Sequence, residues 1–151
     1  MKQLDRDCSL ASLILQDCEV VRKRLRRFKV TEDSFVNDES EDGLLAYDAV
    51  MSPVYRIAED ALHLSSEFQS RYPEYPWKDI RGFRNFVAHG YREVDKRIAW
   101  KVVCGNIPEL EKILRNYVAA GESEQCRCSA SLSTNALGSS NTPSGCENAG
   151  E

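Results

Sequence analysis

Apolar residues recur at helical spacing along most of the chain. Between residues 8 and 29, Leu10, Leu13, Ile14, Val21, Leu25 and Phe28 keep that rhythm, while Arg22, Lys23, Arg26 and Arg27 take the opposite face. This predicts a first amphipathic helix. A second is expected over about 44–68, from Leu44, Tyr47, Val50, Val54, Ile57, Ala61, Leu62 and Leu64. Pro53 sits inside it, and a proline there removes one helical hydrogen bond and crowds the preceding turn, so a kink is expected. The stretch 31–43 between these helices is acidic and turn-rich, with Phe35 and Val36 expected to fold back onto the bundle.

Prolines punctuate 71–76, and Pro76 is placed for the first turn of a third helix over about 77–89, stopped at Gly90. Asp95 is suited to cap a fourth helix, starting near Lys96 and carrying Ile98, Trp100, Val102, Val103, Leu110, Ile113, Leu114 and Tyr117. Pro108 should kink or split it near Asn106 and Ile107. No strand-like alternation of useful length competes with these patterns. The fold class is therefore all-α, an up-and-down bundle of four or five helices.

Composition sets the limits of this domain. From about Gly121 the chain turns rich in Ser, Asn and Gly with isolated Leu, too little apolar surface to offset the entropy of ordering. A helical domain over 1–120 and a disordered tail over 121–151 are expected. No apolar run approaches the roughly 20 residues that span a bilayer. The N-terminus mixes acids with bases, unlike a signal peptide, so a cytoplasmic protein without membrane attachment is expected. Cys8, Cys18 and Cys104 fall in helical patterns, where a free thiol is usually a small core residue. Cys126 and Cys128 fit no common zinc spacing, and Cys146 stands alone in the tail; all six are read as structural or incidental thiols.

Net charge is −4, but it is unevenly spread. Residues 1–30 hold eight Lys/Arg against four Asp/Glu, residues 31–68 one against ten, and residues 69–100 seven against four. Indiscriminate nucleic-acid binding is disfavoured, yet a local basic face can still collect phosphates because charge acts over about 10 Å. The basic run of the first helix is either a solvated face or a phosphate-attracting rim.

The third helix holds the candidate chemistry. With about 100° per residue and Arg84 at 0°, Phe83, Phe86, Val87 and Gly90 fall on one apolar face, and Arg84, Asn85, Ala88 and His89 on another. Tyr91 would return beside Arg84 if the helix ran that far. Arg84 offers a permanent charge and a planar fork for phosphate oxygens. His89 titrates near neutrality and suits proton transfer. Asn85 can orient His89 or the phosphate, and small Ala88 leaves room for a ligand. The chemistry suggested is cleavage of an RNA phosphodiester with no metal and no cofactor; no carboxylate cluster in the motif supports a metal. The residues alone leave open a solvated or structural polar cluster. Acid–base cleavage works best with two proton carriers, and this face has one imidazole. His63, on the second helix with no motif around it, is read as a surface or packing residue. A two-fold dimer would bring two copies of Arg84 and His89 to one groove.

The stretch Arg84-Asn85-Phe86-Val87-Ala88-His89-Gly90-Tyr91 resembles the signature of HepT-like toxins of the HEPN superfamily: Arg, a polar residue, three more, His, one residue, then Tyr. Pro76-Trp77, Ile80 through Phe83, Val94-Asp95, Trp100 and Pro108-Glu109-Leu110 agree with its flanks, and Phe35 with Asp38 and Ile57-Ala58-Glu59 are similar to its second-helix region. The resemblance covers about residues 8–118. Pro53 interrupts a helix expected to be smooth, and the tail has no counterpart. It implies a HEPN-like bundle, a homodimer with a composite RNA-cutting groove, catalytic Arg84 and His89, and a supporting Asn85. It further implies a partner, a minimal nucleotidyltransferase antitoxin of the MntA kind that attaches AMP to Tyr91, as in type VII toxin–antitoxin systems. By residues alone Tyr91 is equally a helix-end aromatic packing on the next helix. The competing functions are a non-catalytic HEPN module that binds RNA, nucleotide or a nucleotidyltransferase, and a helical adaptor.

Overall fold

Among the described residues four long helices carry the structure, and three six-residue helices join them. The computed structural model describes residues 2–90 and 94–132, with side chains for 6–90 and 94–121. In order come α1 (Lys2–Arg27), α2 (Glu32–Asn37), α3 (Glu41–His63), α4 (Ser66–Arg71), α5 (Trp77–Gly90), α6 (Lys96–Lys101), a π-helical segment (Val102–Asn106) and α7 (Ile107–Leu132). No strand occurs among the described residues. The predicted all-α bundle is what forms.

The face α1 buries is Ala11, Ile14, Cys18 and Val21, spaced three or four apart, against α3 and α7. Leu13 belongs to the predicted apolar row but is 51% exposed; next to Ile14 it is turned about 100° off the buried row. The helix ends in a Schellman motif. Val30 N–H donates to Leu25 O at 2.9 Å, and Lys29 N–H to Arg26 O at 3.1 Å. That geometry requires a left-handed residue, and Lys29 supplies it at φ 49°.

The acidic linker folds more than expected. Thr31 and Ser34 form a capping box that starts α2. Phe35 is driven inside, with ring centroids 4.9 Å from Tyr47 and 5.1 Å from Trp100. The expected fold-back of Phe35 and Val36 is met, with Val36 packed at the edge of the core.

Helix α3 is one continuous element across the buried Pro53. The proline leaves Ala49 O without its usual amide donor, and Arg24 of α1 donates to that oxygen instead, at 2.5 Å. A side chain on a neighbouring helix thus replaces the missing backbone hydrogen bond. Arg56 on α3 pairs with Asp17 on α1 through two contacts, at 2.6 and 3.0 Å. The predicted second helix is too long by several residues. It stops at His63 because buried Asp7 of α1 accepts hydrogen bonds from Ser65 N and Oγ, and Ser65 in turn caps α4.

Pro108 splits the last helix where expected. The chain widens into the π segment, with Ile107 N–H donating to Val102 O, which relieves the clash that the proline ring makes with a regular turn. Buried Tyr75, just before α5, donates its hydroxyl to Asn106 O at 3.0 Å. Asp95 caps α6 by accepting from Arg97 N at 2.8 Å. Helix α7 continues past Gly121 to Leu132, so the change in composition marks the end of the apolar stripe, not the end of helical hydrogen bonding. Residues 133–151, the rest of the expected tail, lie outside the described residues, as do the side chains of Cys126, Cys128 and Cys146. Cys18 and Cys104 are free thiols; burial pushes Cys18 up to about 12, as an inert core thiol requires. None of the described helices is long and apolar enough to cross a membrane.

The left-handed Lys29 gives a prediction. Lys29→Gly removes the steric cost of that conformation and should stabilise the fold by about 1 kcal/mol. A denaturant midpoint equal to or below that of the wild type would count against the motif.

Candidate active site

Helix α5 begins after Pro76, whose position suits a first turn. Its start is held by Trp77, whose indole N–H donates to Tyr72 O at 2.9 Å. It buries Ile80 and Phe83 against the bundle. This sets the rotation of every other side chain on the helix and corrects the predicted apolar face. Phe83 is inside and Val87 half-buried, but Phe86 is 48% exposed. The buried direction lies midway between Ile80 and Phe83, about 90° from Phe86.

Arg84 lies at the border of the buried face and reaches α3. Its Nε donates to Glu59 Oε2 at 2.6 Å and its Nη2 to Glu59 Oε1 at 3.3 Å. The pairing is side-on. A guanidinium has five N–H donors, and this arrangement leaves the outer fork of Nη1 and Nη2 clear of the carboxylate. The pair is partly open, 38% for Arg84 and 45% for Glu59. The hydrogen bond to Arg84 holds the Glu59 carboxyl below its ordinary value, and the same contact raises Arg84 further. Asn85 Oδ1 lies 3.5 Å from Arg84 Nη1, the outer limit of a hydrogen bond, so its amide oxygen faces the cation.

Beside the pair opens a cleft of about 190 Å³ lined by Tyr55, Ala58, Glu59, Arg84, Val87 and Ala88. The small Ala88 forms part of its wall, which matches the room expected there. Asn85 and His89 are exposed on the outer side of α5. His89 stands five positions beyond Arg84, about 7.5 Å along the axis. Tyr91 lies outside the described residues. His63 is exposed at the end of α3, with Nδ1 2.9 Å from Glu59 O, in keeping with a surface residue. Among the described residues no group of three or more His, Cys, Asp or Glu is arranged to hold a metal.

Glu59 is the site residue that the motif did not reveal. It stands 25 positions before Arg84, and only the second-helix similarity touched it. The basic face of α1 offers less than its composition suggests. Arg22 is tied to Glu19 and Glu111, Lys23 is 3.8 Å from Glu19, and Arg24 holds Ala49 O. A larger hollow of about 370 Å³ lies between the end of α1, α2 and the start of α3, but Asp38 and Asp42 line it, a poor match for a polyanion.

The described residues thus form an all-helical bundle in which Arg84 lines an open cleft and Asn85 and His89 stand exposed on the same helix. Residues 14–117 match the family described as Ribonuclease HepT-like, and the chain belongs to that family. A protein of Caldanaerobacter subterraneus subsp. tengcongensis, provisionally named as an RNase, is 33% identical over 105 residues, covering 70% of this chain and 88% of that one. Another of Methanocaldococcus jannaschii, also provisionally named as an RNase, is 29% identical over 82 residues, covering 54% and 74%. A protein of Thermococcus cleftensis provisionally named as ribonuclease HepT is 33% identical over 63 residues, covering 42% and 57%. No solved structure matches the chain.

Because the folded-state carboxyl of Glu59 titrates below its unfolded value, its contribution to stability is present above the unfolded value and is lost as pH falls through the folded one. Carboxyl-carbon NMR of Glu59 should show a midpoint below that of a free glutamate, moving back up in Arg84→Ala. An unshifted midpoint in the wild type would contradict the pairing.

Proposed function

We propose that this chain is the toxin of a toxin–antitoxin pair, an endoribonuclease that cuts RNA with its own 2′-hydroxyl as nucleophile and without a metal. The observation that carries this reading is the side-on hold of Glu59 on Arg84, which fixes the guanidinium beside an open cleft, on the helix that also exposes His89. Membership of the ribonuclease HepT-like family supports it, as do the names of the relatives.

In the reaction, the 2′-oxygen attacks the adjacent phosphorus as its proton leaves, and the bond to the 5′-oxygen breaks as that oxygen gains a proton. The products are a 2′,3′-cyclic phosphate and a 5′-hydroxyl. Arg84 binds the non-bridging oxygens and stabilises the charge that builds there. His89 takes or gives one of the two protons. Asn85 supports the phosphate or the guanidinium. The second proton carrier comes from a second copy: a homodimer places two sets of Arg84 and His89 in one groove. Tyr91 is the control point. AMP attached to it by a cognate nucleotidyltransferase antitoxin would put a negative phosphodiester beside Arg84, where substrate phosphate belongs.

Arg84→Ala and His89→Ala should each abolish cleavage of RNA in EDTA and relieve growth inhibition, while circular dichroism stays that of the wild type. Cutting by His89→Ala at the wild-type rate would remove the mechanism, and stable retention of intact RNA by the wild-type protein would point to a non-catalytic binding module. Mass spectrometry after co-expression with a neighbouring nucleotidyltransferase should find one AMP on Tyr91; an unmodified Tyr91 in a neutralised complex would mean inhibition by binding alone.

A further inference from the structure

We propose that the hollow between the end of α1, α2 and the start of α3 is a contact between two copies of this chain, separate from the site of Arg84 and His89. This contact does not depend on the nuclease reading. Two large apolar side chains stand open in the hollow. Leu45 is 61% exposed, the most open large apolar residue among the described ones, and Phe28 is 39% exposed. Both line the same space of about 370 Å³, together with Val30, Phe35, Ala46 and Tyr47. Single exposed apolar residues are ordinary on a protein surface. Two that share one concave surface mark a place that a partner can cover at a gain.

The walls of the hollow carry opposite charges. Arg27 stands on the α1 side, next to exposed Arg26 and Lys29. Asp38 and Asp42 stand on the other, next to exposed Glu39 and Glu41. Asp38 is held locally: it accepts from Ser40 N at 2.9 Å, and a Cβ on Gly43 would collide with its carboxyl. Lys96, which lies over the Tyr47 ring, also acts on Asp38. Among the described residues Arg27 and Asp42 form no ion pair. Acids in the first turn of α3 suit the helix dipole, so by themselves they imply no partner. The apolar floor between walls of opposite sign does.

This arrangement selects its occupant. An RNA strand is repelled by the acidic wall, and a purely basic segment by the arginine wall. A second copy meets neither obstacle. A two-fold axis through the floor sets Phe28 and Leu45 of the two copies against one another, and turns each basic wall toward the other copy's acidic wall. Arg27 then pairs with Asp42 of the partner subunit, and the symmetry makes the pair twice. Leu45 stands 14 positions before Glu59 on α3, about 21 Å along the axis, so this contact leaves the Arg84 cleft uncovered. A dimer joined around Arg84 and His89 can associate again through this second face, giving four chains.

The full chain is measured by sedimentation equilibrium beside Leu45→Glu, Arg27→Asp and Asp42→Arg, each with its helicity checked by circular dichroism. The wild type should sediment at twice the mass of Leu45→Glu. Arg27→Asp sets acid against acid across the axis, and Asp42→Arg sets base against base. Each alone should therefore self-associate at least about tenfold more weakly than the wild type. An equimolar mixture of the two should recover the wild-type mass, because every contact across the axis is then between opposite charges, a result that no change within one chain can produce. A mixture no heavier than its components overturns the proposal. So does a wild type no heavier than Leu45→Glu, which would leave this face to a different molecule.

Discussion

A backbone carbonyl stripped of its helical donor must find another, and in this bundle that requirement ties the helices together. Pro53 leaves Ala49 O without an amide, and Arg24 of α1 answers it. Pro108 disrupts the last helix, and the chain answers with a π turn. The first substitution joins α1 to α3, and the bond from Tyr75 to Asn106 O joins the segment before α5 to the end of the π turn. Asp7 adds a third tie by closing α3 at Ser65. The orientation of α3 and α5, and with it the meeting of Glu59 with Arg84, rests on these contacts and on the apolar core that surrounds them.

The Glu59–Arg84 pair solves a difficulty that a lone surface arginine has. A free guanidinium samples many rotamers, and fixing one on substrate binding costs entropy. Side-on pairing with a carboxylate sets the plane of the group beforehand and leaves its outer fork clear. The carboxylate also lowers the local positive charge, so affinity for a phosphate is weakened while its placement is improved. That exchange favours turnover over retention of the ligand, as the proposed nuclease requires. The acids of α2 and α3 act in the same direction from a distance, leaving the face of α5 as the favoured approach for a polyanion.

Much of the fold was readable along the chain because its determinants are local. Helical spacing marks α1, α3, α5 and α7; Asp95 caps the helix it precedes; Pro108 disturbs the helix in the turn just before it, as a proline does. The same locality set the errors. Leu13 and Phe86 satisfy an apolar spacing but sit at the edge of their arcs, and which edge is covered depends on the neighbouring helices. The second helix seemed to run past His63 because its apolar positions continue to Leu64, while Asp7, which holds Ser65 at its end, is 58 positions from that serine.

By itself the sequence determined the helical class, the boundaries set by caps and prolines, and the grouping of Arg84, Asn85 and His89 on one turn-and-a-half of helix, since neighbours at i+1 to i+5 are placed by helix geometry alone. Tertiary structure decided which of those groups is held and which is open. It paired Arg84 with a glutamate from another helix, occupied Arg22 and Arg24 of α1 in structural contacts, and turned Phe86 outward. These outcomes follow from how apolar faces pack against one another, and packing joins residues that no periodicity within a single segment can relate.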